Sequence, residues 1–133
     1  MDRPPAEVHP PHPAGELAGA ATPRPRRPFP PELLASLAAA FGQRVSTAEA
    51  VRTHHGRDES PFDPQPPDAV VFAESTDDVR TTIELCARYG VPVIPYGNGS
   101  SLEGHLLAVE GGVSIDLSGM NRVLSINSED LTA

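Results

Sequence analysis

Apolar residues recur at helical spacing across residues 31–41, where Leu33, Leu34, Leu37, Ala38 and Phe41 share one face. Pro30 and Pro31 suit the first turn of that helix and Gly42 its end. A second helix is expected from Ser46, with Glu49 three residues on completing a capping box, through Ala50 and Val51 to His54 and His55. Ala69-Val70-Val71-Phe72 is apolar and too short for a helix, so it reads as a strand. Ser75 caps a third helix with Asp77 and Asp78 in its first turn, and Gly90 stops it. Its expected buried stripe is Val79, Thr82, Ile83, Cys86 and Ala87. Val91, Val93 and Ile94 then supply β-branched bulk for a second strand, which Pro92 and Pro95 keep from being a long central one. Residues 69–96 therefore read strand–helix–strand, the pattern of a parallel crossover. Gly112–Leu117 alternates like a half-buried strand, Gly119 sits in a turn, and Arg122–Asn127 reads as one more strand.

The polar stretches divide the chain. Most of the 16 prolines fall before residue 32. Residues 1–28 show no periodicity and cannot bury enough apolar surface to offset chain entropy, so they read as a disordered Pro-rich tail. Residues 29–62 form a helical lead-in, and 63–133 begin the main domain. The Pro-rich connector 57–68 spans that boundary.

Charge and composition narrow the chemistry. A net charge of −8 argues against a nucleic-acid surface. Every basic residue is Arg, which removes a Walker phosphate loop and Lys Schiff-base chemistry. One cysteine, Cys86, allows no internal disulfide and fits a reducing compartment; it falls on a helical stripe as a packed thiol. Arg26-Arg27 before Leu33–Ala40 echoes a twin-Arg export signal, but Pro30, Pro31 and Glu32 interrupt it. The expected location is cytoplasmic, with peripheral membrane association left open, since no apolar run approaches the roughly 18 residues a span needs. His54 and His55 invite a metal reading, but adjacent helical residues point about 100° apart and chelate poorly. No metal site is expected.

The candidate chemistry lies after the second strand of the crossover. Tyr96-Gly97-Asn98-Gly99-Ser100-Ser101-Leu102-Glu103-Gly104-His105 is a loop of small residues. Its glycines allow a ligand to approach the backbone, and consecutive N–H groups beside the Ser100 and Ser101 hydroxyls suit a phosphate. The Gly-x-Gly-x-x-x-x-Gly spacing fails the Rossmann fingerprint, and no convincing helix follows. On residues alone, a phosphate loop and a glycine-rich β-turn remain equally open.

Several stretches in order resemble the flavin-binding domain of the vanillyl-alcohol oxidase, or p-cresol methylhydroxylase (PCMH), type. They are Asp58-Glu59-Ser60-Pro61, Pro67–Phe72, the helix opened by Ser75-Thr76-Asp77-Asp78-Val79, Gly90–His105, and Val113–Leu124. Helices one and two resemble the family's lead-in. The Ser100-Ser101-Leu102-Glu103-Gly104-His105 form is most similar to FAD-linked D-lactate dehydrogenases and glycolate oxidase subunits.

The resemblance implies an α+β fold, the N-terminal half of a two-subdomain FAD-binding domain. It implies that Tyr96, Gly97, Asn98, Gly99, Ser100, Ser101, Leu102, Gly104 and His105 meet the FAD pyrophosphate. Some relatives hold flavin covalently through a His where this chain has Ser100, so FAD is expected to be non-covalent. The implied activity is oxidation of D-lactate or a related D-2-hydroxy acid, with electrons passed to a quinone or cytochrome. The substrate-side catalytic residues belong to parts of the family's pattern not found in this chain, which is expected to be an N-terminal fragment, inactive alone. Rival readings are another flavoenzyme of the same fold, of the alkylglycerone-phosphate synthase or amino-sugar reductase type, or a non-catalytic FAD-binding module completed by a partner chain.

Overall fold

A computed structural model describes residues 25–132. Three helices and a four-stranded sheet make an α+β fold. Helix α1 spans Pro31–Phe41, and a 3₁₀ turn, Gly42–Arg44, leads into strand β1 at Val45–Ser46. Helix α2 is Glu49–His55, strand β2 Ala69–Phe72, helix α3 Thr76–Tyr89, strand β3 Val93–Tyr96 and strand β4 Val113–Asp116. The sheet order is β1-β2-β4-β3, with β1 antiparallel and the other pairs parallel.

The expected strand–helix–strand unit forms as β2–α3–β3, but its two strands do not touch. β4 lies between them, paired in register with both. β3 is thus an edge strand, which is where Pro95 can sit without depriving the ladder of a hydrogen bond. As the central strand of the parallel part, β4 is buried at all four positions rather than half-buried as its alternation suggested.

The pleat separates two faces. Val71 and Val113 point to one face and join Leu33, Leu37, Phe41 and Cys86 in the hydrophobic core, so α1 and α3 cover that side. Phe72, Asp116 and Tyr96 point to the other, where His55 of α2 packs against all three.

Four details correct the sequence reading. Ser46 does not cap α2; it pairs with Val70 in β1, and Ala48 precedes the helix with no side-chain cap bond. The sheet edge competes for that backbone and wins. Ala38 is exposed on α1. On α3, Ile83 and Ala87 face outward, and Leu85 packs on the core beside Thr82 and Cys86. The stripe is rotated because α3 also docks on α1, so the burial arc is shared between a sheet and a helix. Finally, Arg122–Asn127 is not a strand: no neighbour offers a ladder, and Val123, Leu124 and Ile126 are exposed.

The tail expected over 1–28 lies outside the described residues up to position 24. Arg26 is described, and it donates to the Pro66 carbonyl and to Asp68 at 3.4 Å. Burial drives the Cys86 thiol up to about 11, which leaves it a packed, protonated group. Among the described residues, no helix is long and apolar enough to cross a membrane.

Candidate functional site

Parallel strands β2, β3 and β4 end together at Phe72, Tyr96 and Asp116, so the chain leaves all three at one edge. Open parallel sheets bind ligands outside this carboxyl edge. Tyr96 closes β3, and the glycine loop starts there.

Tyr96 itself is buried, and its hydroxyl lies 3.2 Å from Nε2 of His54. Its ring stacks on His55 at 4.3 Å between centroids. Behind that ring is a buried polar pair, His55 and Asp116. Nε2 of His55 is 2.8 Å from Oδ2 of Asp116, while Nδ1–H of His55 donates to the Val51 carbonyl at 2.9 Å. Asp116 Oδ1 accepts from the Ser118 N–H at 2.8 Å. Burial works to raise the Asp116 carboxyl, but the bonds from Ser118 and His55 outweigh it, and the carboxyl lies below its ordinary range.

The loop is positioned by this floor and by the connector. Gly99 has φ +72, and a Cβ there would lie 2.5 Å from the Tyr96 hydroxyl, so only glycine lets the loop close over the ring. Across the loop, the Glu59 N–H donates to the Ser101 carbonyl at 2.9 Å. Ser101 Oγ lies 3.1 Å from Nδ1 of His105. Asp58 Oδ1 accepts from both the Oγ and the N–H of Ser60, at 2.5 and 3.1 Å. The Ser60 hydroxyl bond lowers the Asp58 carboxyl most; burial opposes it, and Ser60 N–H, Ser101 and Gly104 add smaller lowering contributions.

Between the connector and the loop lies a cavity of about 310 Å³ lined by His54, Arg57, Asp58, Glu59, Tyr96, Asn98 and Gly99. The structure therefore brings Tyr96, Asn98 and Gly99 together at one opening. Gly97 is exposed, with open space where a Cβ would stand. Ser100 is exposed and Ser101 half-buried. Leu102 is 67% exposed and His105 is exposed, both beyond the opening. Gly104 faces a separate hollow of about 420 Å³ with Phe62 and Leu107. A hollow of about 390 Å³ at the start of α3 is lined by Glu74, Asp77 and Arg122.

Sequence reasoning missed the floor and the near wall: His54, His55, Arg57 and Asp116. The signal existed. Two histidines closing a short helix and an Asp inside an apolar strand were each visible, but only the fold joins them across 61 positions.

The geometry fits a phosphate-bearing cofactor: an open glycine backbone, a cavity beside it, and arginine and histidine on its wall. Comparisons with known proteins agree. Residues 67–133 match the model of the FAD binding domain family. A probable mitochondrial D-lactate dehydrogenase of Danio rerio is 44% identical over 86 residues, covering 65% of this chain and 17% of that protein. The mitochondrial D-lactate dehydrogenase [cytochrome] of Arabidopsis thaliana is 38% identical over 104 residues, covering 77% and 18%. The chain thus spans under a fifth of the length of these two relatives. Among solved structures, an alkyldihydroxyacetonephosphate synthase superposes with a TM-score of 0.68 at 29% identity, over 80% of this chain and 24% of that one. A p-cresol methylhydroxylase shares the fold at a TM-score of 0.57 and 19% identity, over 72% and 20%. With its parallel sheet, its glycine loop and this match, the chain belongs to the FAD binding domain family.

Proposed function

We propose that residues Tyr96–His105 hold the pyrophosphate of FAD without a covalent bond, in the flavin-binding portion of an enzyme that oxidises D-lactate or a related D-2-hydroxy acid. The observation carrying this reading is the open Gly97–Gly99 backbone at the carboxyl edge, beside a cavity of about 310 Å³. Tyr96 forms the floor, and the N–H groups of Gly97 to Ser101 supply donors. The Ser100 and Ser101 hydroxyls add two more. Bound FAD supplies the two-electron acceptor for a carbon bearing a hydroxyl. This chain's part is to bind and orient that group, with a quinone or cytochrome as the onward acceptor. The identity to D-lactate dehydrogenases favours that substrate class.

A titration of the chain with FAD, followed by quenching of flavin fluorescence, tests the binding. Gly99→Val, which puts a side chain against the Tyr96 hydroxyl, is expected to weaken it at least tenfold. Equal quenching by both proteins would remove the loop from the site. Acid precipitation is expected to leave all flavin in the supernatant, since position 100 carries no imidazole.

Two further readings have specific support. Likeness to alkyldihydroxyacetonephosphate synthase favours a non-dehydrogenase flavoenzyme, which assay of the longer protein with each substrate class separates. The exposed Val123, Leu124, Ile126 and Leu131 favour completion of the module by further polypeptide. On that basis the 133-residue chain alone is expected to show no D-lactate turnover with an artificial acceptor.

A further inference from the structure

We propose that Arg57 is the counter-charge of the phosphate site, a guanidinium wall facing the glycine loop and assisted by the His54 imidazole. The inference rests on the reading that the loop holds the FAD pyrophosphate, and it assigns a residue outside that loop.

Charge accounting leads to it. The loop from Tyr96 to His105 contains no Arg or Lys, and it does contain Glu103. The chain as a whole carries −8 and has no Lys to recruit. Backbone N–H groups bring partial charges, but a pyrophosphate entering an acidic protein needs a cation close by. Arginine suits this role because its planar fork meets two phosphate oxygens at once.

Most other described arginines are committed or distant. Arg26 pairs with Asp68, Arg44 with Asp78 and Glu74, and Arg80 with Asp77 and Glu84. Arg52 donates to the Pro67 carbonyl at 2.7 Å. Arg27 and Arg122 line other hollows, and Arg88 lies in the last turn of α3. Arg57 has no ion pair among the described residues, and it lines the same cavity as Asn98 and Gly99. Burial and then Asp116 push the Tyr96 phenol up, and the Arg57 charge opposes them.

Its backbone is also held in place. Before it, the Gly56 carbonyl accepts from the Gln65 N–H at 2.7 Å, and a Cβ on Gly56 would lie 2.3 Å from Pro66. After it, Glu59 is tied to Ser101 of the loop itself. Arg57 therefore projects from a segment fixed against the very loop it would serve. Asp58 and Glu59 line the same cavity and oppose an anion. Asp58 is engaged by Ser60 and Glu59 is exposed to solvent, so Arg57, the one guanidinium on this wall, offsets part of the field of two carboxylates.

The test is a titration of the full chain followed by backbone amide shifts of Asn98 to Ser101. The probes are inorganic pyrophosphate, FAD and riboflavin, which has no phosphate. Arg57→Ala is expected to weaken pyrophosphate and FAD at least tenfold and to flatten the salt dependence, with riboflavin unchanged. Arg57→Lys recovers part of the loss, and Arg88→Ala has no effect. Arg57→Gln provides a second neutral variant with unchanged far-UV spectrum. Wild-type affinity within twofold in both neutral variants, while Gly99→Val abolishes binding, would overturn the role of Arg57 and leave the loop reading intact. No amide shift in the wild type with pyrophosphate or FAD would overturn both.

Discussion

The two faces of the sheet are built by opposite means. On the side of Val71 and Val113, α1 and α3 close a core of Leu33, Leu37, Phe41 and Cys86, with only dispersion and desolvation holding it. On the other side, the carboxyl edge is held by a buried polar contact, His55 with Asp116, under the Tyr96 ring. The first face specifies a shape and tolerates many apolar solutions. The second specifies bond partners and tolerates few, because a buried polar group left without its partner is costly. It is the second face that carries the loop.

The contrast breaks first at His55. Removing the imidazole leaves the Asp116 carboxylate, 7% exposed, with Ser118 but without its imidazole partner. His55→Ala is expected to cost about 3–5 kcal/mol in urea unfolding. His55→Phe with Asp116→Leu removes both polar groups and is expected to cost less than His55→Ala alone. A double variant worse than the single one would show that the pair is held by shape rather than by its polar bond.

On the apolar face, Leu37 is fully buried. Leu37→Ala is expected to cost about 2–4 kcal/mol through lost transfer energy and the residual cavity. The cost should not vary between pH 4 and 8, because no titrating group touches that cluster at those values. A pH-dependent loss would mean that the two faces are coupled through the sheet.

How far the chain could be read in advance follows the same division. Strand β2 and helix α3 with its Ser75 cap and Gly90 stop were legible to the residue, because local propensity and tertiary packing agree there. The residues of the glycine loop alone left a phosphate loop and a glycine-rich β-turn equally open. What stayed hidden depends on partners distant in sequence. Ser46 looked like a cap because its competing partner, Val70, lies in another element. Arg122–Asn127 looked like a strand because alternation says nothing about whether an edge is available. His55 and Asp116 looked like a helix end and a strand residue until the register set them 2.8 Å apart.

A smaller effect separates the buried polar pair from a half-exposed ion pair. Arg44, 32% exposed at its side chain, donates to Asp78 at 2.6 Å. That bond, with the Glu74 N–H, holds the Asp78 carboxyl at about 2, below its ordinary 3.8. A carboxyl depressed on folding stabilises the protein above its unfolded value and loses that contribution as pH falls toward the folded one. The contribution, about 1–2 kcal/mol with solvent screening, is therefore present above pH 4 and lost between about pH 4 and 2. Asp78→Asn is expected to flatten this part of the acid limb, leaving the part due to Asp116. An unchanged acid limb would assign the whole effect to the buried pair.

The smallest effects compare the two helices that start near these faces. Ser75 has extended φ and ψ of −149° and 161°, and its Oγ accepts from the Asp78 N–H at 3.2 Å. Ser75→Ala removes that acceptor and is expected to cost about 1 kcal/mol, while Ser75→Asp keeps it and costs little. Helix α2 begins after Ala48, extended at −59° and 132° with no side-chain bond to its first turn. Ala48→Asp supplies the missing acceptor and places a negative charge at the positive end of the helix, a gain of about 0.5–1 kcal/mol. Since α2 carries His55, that gain is expected to slow amide exchange at Val51 and His55 as well as to raise the urea midpoint. A higher midpoint with unchanged exchange in α2 would show that this helix is held by its buried polar contact and not by its ends.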